Sequence, residues 1–130
     1  GKEAVITEMI APIALVHKDV DAEQAFSVLM ERESLGTTGI GEGIAIPHGK
    51  LESLDKIVVA VGRSIQGVDF EALDFSDCHI FFLVLAPAQV AGLHLRLLAH
   101  ISRLLKDEDF RKRFLEADGP DALWDVLKSV

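Results

Sequence analysis

"HIFFLVLA", residues 79–86, is apolar at every position after its first and contains no glycine, proline or fixed charge. The run is far short of the roughly 20 residues that a membrane span requires. Its length and composition suit a strand covered on both faces. Covering elements are legible on either side. Upstream, Lys2 to His17 sets Val5, Ile6, Met9, Ile10, Ile13 and Ala14 at helical spacing, with Pro12 expected to kink that helix or to end it before its last turn. Asp21 with Gln24 three residues later resembles a capping box. The helix that follows carries Ala25, Phe26, Val28, Leu29 and Met30 up to a stop at Gly36. Downstream, the helical period returns through Leu93, Leu97, Leu98, Ile101, Leu104 and Leu105. Asp107 can cap a short helix bearing Phe110, Phe114 and Leu115, and Gly119-Pro120 opens a last one with Leu123, Trp124 and Leu127. Between these flanks lie the β-rich runs "IAI" (44–46), "KIVVAVGRS" (56–64) and "GVDF" (67–70), with Gln66-Gly67 read as a turn joining the last two. Helices around a block of strands predict a layered α/β domain with its sheet between helices.

Composition narrows the function. The chain has 130 residues, 49% of them hydrophobic, enough for one compact core and too few for a second domain, so residues 1–130 are read as a single domain. A formal net charge of −8 repels a phosphate backbone and removes nucleic acid as the default partner. Cys78 is the only cysteine, which excludes an internal disulfide and fits a reducing compartment, so a cytoplasmic location is expected. Residues 1–18 show no basic segment leading into an apolar stretch of signal type, and no direct membrane insertion is expected.

The chemistry concentrates in "TTGIGEGIAIPHGK", residues 37–50. Its glycines lack the spacing of a dinucleotide fingerprint, and no Gly-Lys-Ser/Thr ending marks a nucleotide phosphate loop. They instead let the backbone turn sharply and expose amides as a nest for an anion. Pro47 fixes the approach to His48, and Gly49 leaves space around the ring. A neutral imidazole on such a loop can accept a phosphoryl group without a separate strong base. The alternative is an exposed or locally hydrogen-bonded ring with no chemistry. His17, His79 and His100 lack partners at metal-ligand spacing, so no metal is expected, and Cys78 at the start of an apolar strand reads as buried and inert.

The segments "ERESLGTTGIGEGIAIPHGK" (31–50), "VAVGRSIQGVDFEALD" (59–74), "HIFFLVLAP" (79–87) and "HLRLLAHISRLLKDEDFRKRFLEA" (94–117) together resemble the EIIA domain of the bacterial phosphoenolpyruvate-dependent phosphotransferase system, in its fructose/mannitol/nitrogen-regulatory class. The resemblance covers nearly the whole chain in the family's order. It implies an α/β sandwich around a mixed sheet, here beginning at what resembles the family's first helix and so without its N-terminal strand. The family usually has Ser at Thr37 or Thr38 and often Asn at Glu42.

The resemblance further implies that His48 is phosphorylated on Nε2 with Nδ1 hydrogen-bonded to the backbone. The phosphoryl group would come from the small carrier HPr, or its nitrogen-branch counterpart, and pass to an EIIB domain, with no nucleotide or other cofactor. His94 matches a family position near the phosphoryl group, where it stabilises the phosphoryl oxygens or, alternatively, is a satisfied core histidine. Arg32 matches an active-site arginine able to pair phosphate oxygens, the alternative being an exposed helix charge. Thr37 and Thr38 supply hydroxyl or amide contacts or simply make a turn, and Gly41 and Gly43 join them as phosphate-loop positions. Two readings of the function stand together: a phosphorylation-state regulator of nitrogen type, slightly favoured, which acts on target proteins, and a sugar-specific component feeding a membrane permease. A protein-binding domain without phosphate chemistry is the third.

Overall fold

The computed structural model describes residues 1–88 and 91–119, with side chains from residue 96 onward in the second stretch. Two compact units divide the chain, Gly1–His94 and Leu95–Val130. The first opens with helices α1 (Lys2–Val16) and α2 (Ala22–Leu35), followed by strands β1 (Gly39–Gly41), β2 (Ile44–Ala45), β3 (His48–Leu51), β4 (Val58–Val68) and β5 (Cys78–Pro87). Helix α3 (Ala91–Leu105) crosses the division, and α4 (Glu108–Glu116) follows it.

The apolar stripe of α1 is as read: Ile6, Ile10 and Ile13 are buried, with Val5 and Met9 packed against the same core. Pro12 neither ends nor interrupts this helix, which runs on to Val16. Proline removes one i to i−4 hydrogen bond. Pro12 and Glu8, whose carbonyl would have received it, both lie on the exposed face, so water substitutes while Ile10 and Ile13 anchor the turn from within. Asp21 caps α2, its carboxylate accepting from the amides of Glu23 (2.9 Å) and Gln24 (3.1 Å).

β5 is the sheet's central strand. It pairs in parallel with β2 and β3 and antiparallel with β4. Both side-chain sets of β5 are buried, Phe81, Leu83 and Leu85 as well as Ile80, Phe82, Val84 and Ala86, as the apolar run 79–86 requires. Phe81, Leu83 and Leu85 share one core with Ile6, Ile10 and Leu29, so α1 and α2 cover that face of a mixed sheet. Gln66-Gly67 is no turn: β4 runs unbroken through it, with a register irregularity between Arg63 and Val68. A strand can absorb an extra residue as a bulge where a glycine takes positive φ, and Gly67 has φ 89°.

In the second unit Asp107 caps α4 as expected, accepting from the amides of Asp109 (2.9 Å) and Phe110 (3.3 Å). Phe110 and Phe114 are buried with ring centroids 6.1 Å apart. Ile101 and Leu105 form the buried stripe of α3, whereas His100 is exposed. The helix expected after Gly119-Pro120 lies outside the described residues. No helix among the described residues is long and apolar enough to cross a membrane.

Candidate functional site

The glycine loop folds as a hairpin. β1 and β2 pair antiparallel around Glu42-Gly43, which have φ of 56° and 78°, as a type I′ turn requires. The turn's amides were expected to be offered to an anion, but the Glu42 amide is taken by the Asp74 carboxylate at 3.0 Å. Gly41 backs onto the same carboxylate, and Gly43 onto His79 and the backbone of Asp77. The amides of Ser76 and Glu42, together with the Ser76 hydroxyl, hold the Asp74 carboxyl below its ordinary value, with the hydroxyl contributing most.

β2 and β3 continue one another along β5: Ile44 faces Ile80 and His48 faces Val84, with no change of register across the gap. The gap falls where Pro47 has no N–H to donate, although its carbonyl still accepts from Val84 N at 2.9 Å. His48 therefore opens a parallel strand and is half-buried there, a correction to the loop position expected from the glycine-rich context. Immediately after it, Gly49 lies so close to α2 that a Cβ would stand 2.6 Å from Cγ1 of Val28.

The His48 ring is oriented by the backbone, with Nδ1 2.8 Å from the carbonyl oxygen of Ile46. A carbonyl oxygen only accepts, so Nδ1 carries the hydrogen and, in the neutral ring, Nε2 carries the lone pair. Burial pushes the His48 pKa below its ordinary value of 6.5; the Ile46 bond works against this, the Arg32 charge adds to it and the Glu33 charge opposes it. The imidazole is thus neutral, and nucleophilic at Nε2, at pH 7.

Arg32 is half-buried in the last turn of α2, where its Nη1 donates to the carbonyl of Gly36 at 2.8 Å. Its positive charge contributes to lowering the His48 pKa, after burial. The threonines are bound internally. Thr37 Oγ1 donates to Phe70 O (3.1 Å) and accepts from Gly39 N (3.1 Å), while buried Thr38 donates through both N and Oγ1 to the Glu33 carboxylate. The side chain of His94, in the first turn of α3, lies outside the described residues. Cys78 is fully buried, and desolvation pushes its thiol up to about 11.

Sequence reasoning missed Glu33. Its carboxylate is only 5% exposed and receives Lys2 Nζ at 3.2 Å. That ammonium also lies 3.2 Å from Glu71 and 5.2 Å from the centroid of Phe70. The signal was present: Ala25, Leu29 and Glu33 recur every four residues, which puts an acid on the apolar stripe of α2.

The fold defines a class, the mixed α/β domains of EIIA type. Nitrogen regulatory protein IIA-Ntr from Neisseria meningitidis superposes with a TM-score of 0.87 at 26% identity, over 98% of this chain and 86% of that one. A complex of enzyme IIA-mannitol with phosphorylated enzyme IIB-mannitol from Escherichia coli supplies a second likeness, TM-score 0.77 at 23% identity over 99% of this chain and 88% of that one, which bears on the fold alone. In sequence, the fructose-specific EIIABC component of Bacillus subtilis is 41% identical over 126 residues, 97% of this chain. The chain spans 20% of that protein's length. The model of the family "Phosphoenolpyruvate-dependent sugar phosphotransferase system, EIIA 2" matches residues 1–130. The chain belongs to that family.

Proposed function

We propose that residues 1–130 work as one phosphocarrier unit in which Nε2 of His48 accepts a phosphoryl group from the phosphohistidine of HPr or an HPr-like carrier. One observation carries the reading. The Ile46 carbonyl holds the proton on Nδ1, so the basic nitrogen is Nε2 and the ring needs no further base. In the transfer, the donor's N–P bond breaks as the bond from Nε2 to phosphorus forms, and no proton leaves His48. Little covalent assistance is needed, so positioning and charge dominate. Arg32, whose charge already reaches the ring, supplies a positive group for the phosphoryl oxygens. His94 is retained as a second stabilising group, on the resemblance of its segment. Thr37, Thr38, Gly41 and Gly43 act by shaping the hairpin ahead of His48, since their described contacts are internal.

Phosphate leaves toward an EIIB domain or controls binding to target proteins, in a reducing, cytoplasmic setting. The likeness to the EIIABC component of Bacillus subtilis supports the first outlet and the likeness to IIA-Ntr the second. We favour the regulatory branch, with the sugar-specific branch as the alternative supported by the Bacillus relative. Incubation with phosphoenolpyruvate, EI and each kind of carrier separately, followed by mapping of acid-labile phosphate, tests the reading. Labelling of His48 by the nitrogen-branch carrier alone supports the regulator, and labelling by HPr alone supports the sugar component. A chain labelled by neither carrier would be a binding domain without phosphate chemistry.

A further inference from the structure

We infer that the buried carboxylate of Glu33 is a positioning residue for His48, acting through Thr38 and Ile46 to hold the imidazole with its proton on Nδ1. The inference rests on the proposed role of His48 for its consequence, although its geometry does not depend on phosphate. Four hydrogen bonds make the connection. Thr38 donates to Glu33 twice, through its amide (3.0 Å) and through its hydroxyl, each to a different carboxylate oxygen. The carbonyl of Thr38 accepts from Ile46 N at 3.0 Å. The carbonyl of Ile46 accepts from His48 Nδ1 at 2.8 Å.

Each residue between the carboxylate and the ring is buried. Water therefore offers no easy substitute for a lost link. Two bonds from one carboxylate fix both the place and the orientation of Thr38, which a single bond would not. Packing alone does not account for an acid here, because an ionised carboxylate is costly to bury and an apolar side chain would fill the same stripe. What an apolar side chain lacks is a pair of acceptors for Thr38 and a partner for Lys2, which ties α1 into the same point at 3.2 Å. The Glu33 charge also opposes that of Arg32 at the imidazole, so its loss would alter the ring's proton affinity as well as its pose.

The test uses two conservative variants, read by 15N chemical shifts of the His48 ring and by steady-state phosphoryl acceptance from the carrier. Thr38→Val keeps the shape and the backbone donor while removing the hydroxyl; Glu33→Gln keeps the shape while removing the charge. We expect both to raise the population of the tautomer with the proton on Nε2. We also expect kcat to fall by about tenfold or more, with KM for the carrier changed by less than about twofold, as misplacement of a reacting atom would produce. A merely structural role would lower the melting temperature and leave the tautomer ratio unmoved. Should Glu33→Gln fail to fold, Thr38→Val decides alone, since it retains every charge. Folded variants with wild-type ring shifts and wild-type kcat overturn the inference. Failure of the acceptor reading is separable from this, because it appears as acid-labile phosphate persisting on His48→Gln, whereas the tautomer ratio needs no phosphate.

Discussion

A carbonyl oxygen two residues before the ring decides what His48 can do. With Ile46 O holding Nδ1–H, protonation of Nε2 removes the only lone pair suited to attack, so acceptance of phosphate should fall as pH drops through the folded-state pKa, which burial sets below 6.5. The same shift gives a stability prediction. Between the folded and unfolded pKa values the unfolded chain binds more protons, so the contribution of His48 is fully present above 6.5 and is lost as pH falls through the lower, folded value. Thermal melts at pH 7.5 and again about two units lower should show the wild type losing more stability than His48→Gln; equal losses would mean that the ring is not desolvated as described. His48 and Arg32 were singled out in the residue pattern through the resemblance, and their roles stand as proposed. The strand under His48 was not, because "HGKL" has neither the alternation nor the apolar run that marks a strand, and only pairing with β5 extends it. Glu33 was legible in its spacing but reads as a surface charge until Lys2 and Thr38 are brought to it by the fold.

Among the elements, the contact between α2 and β3 is the most demanding. Gly49→Ala places a methyl group 2.6 Å from Val28 Cγ1, and overpacking of this kind is expected to cost about 1–3 kcal/mol. In a Val28→Ala background the penalty should shrink, and a denaturant-based double-mutant cycle reads that coupling; additive losses would contradict the close approach. The hairpin gives a prediction of opposite sign. Glu42 occupies a left-handed conformation that Asn tolerates better, so Glu42→Asn should raise stability by about 0.5 kcal/mol, measured as a higher denaturant midpoint at unchanged slope. The described helices and the central strand followed from periodicity and capping residues, whereas β1 and β3 did not. Two local rules misled: a proline on an exposed helical face costs one helical hydrogen bond where a kink or an early end was expected, and Gln-Gly inside a strand makes a bulge where a turn was expected. At Pro12 the burial of Ile10 and Ile13 outweighs the local preference, and at Gln66-Gly67 the pairing of Val68 with Cys78 does so.

At the largest scale, the apolar run at 79–86 foretold the central strand of a mixed sheet, buried on both faces. Charge bears on the partner class only by exclusion, since −8 argues against nucleic acid without selecting among proteins. The branch of the phosphotransferase system was not legible, because the proposed acceptor chemistry at His48 would serve both branches equally. The central claim concerns one atom, Nε2 of His48, among the chain's five histidines. The direct measurement is 15N–31P coupling in histidine-labelled protein phosphorylated by phosphoenolpyruvate, EI and the competent carrier. The expected result is a single coupled nitrogen, Nε2 of His48, with Nδ1 still protonated and no signal from His48→Gln. Coupling to Nδ1, or phosphate on His17, His79, His94 or His100, would contradict the account.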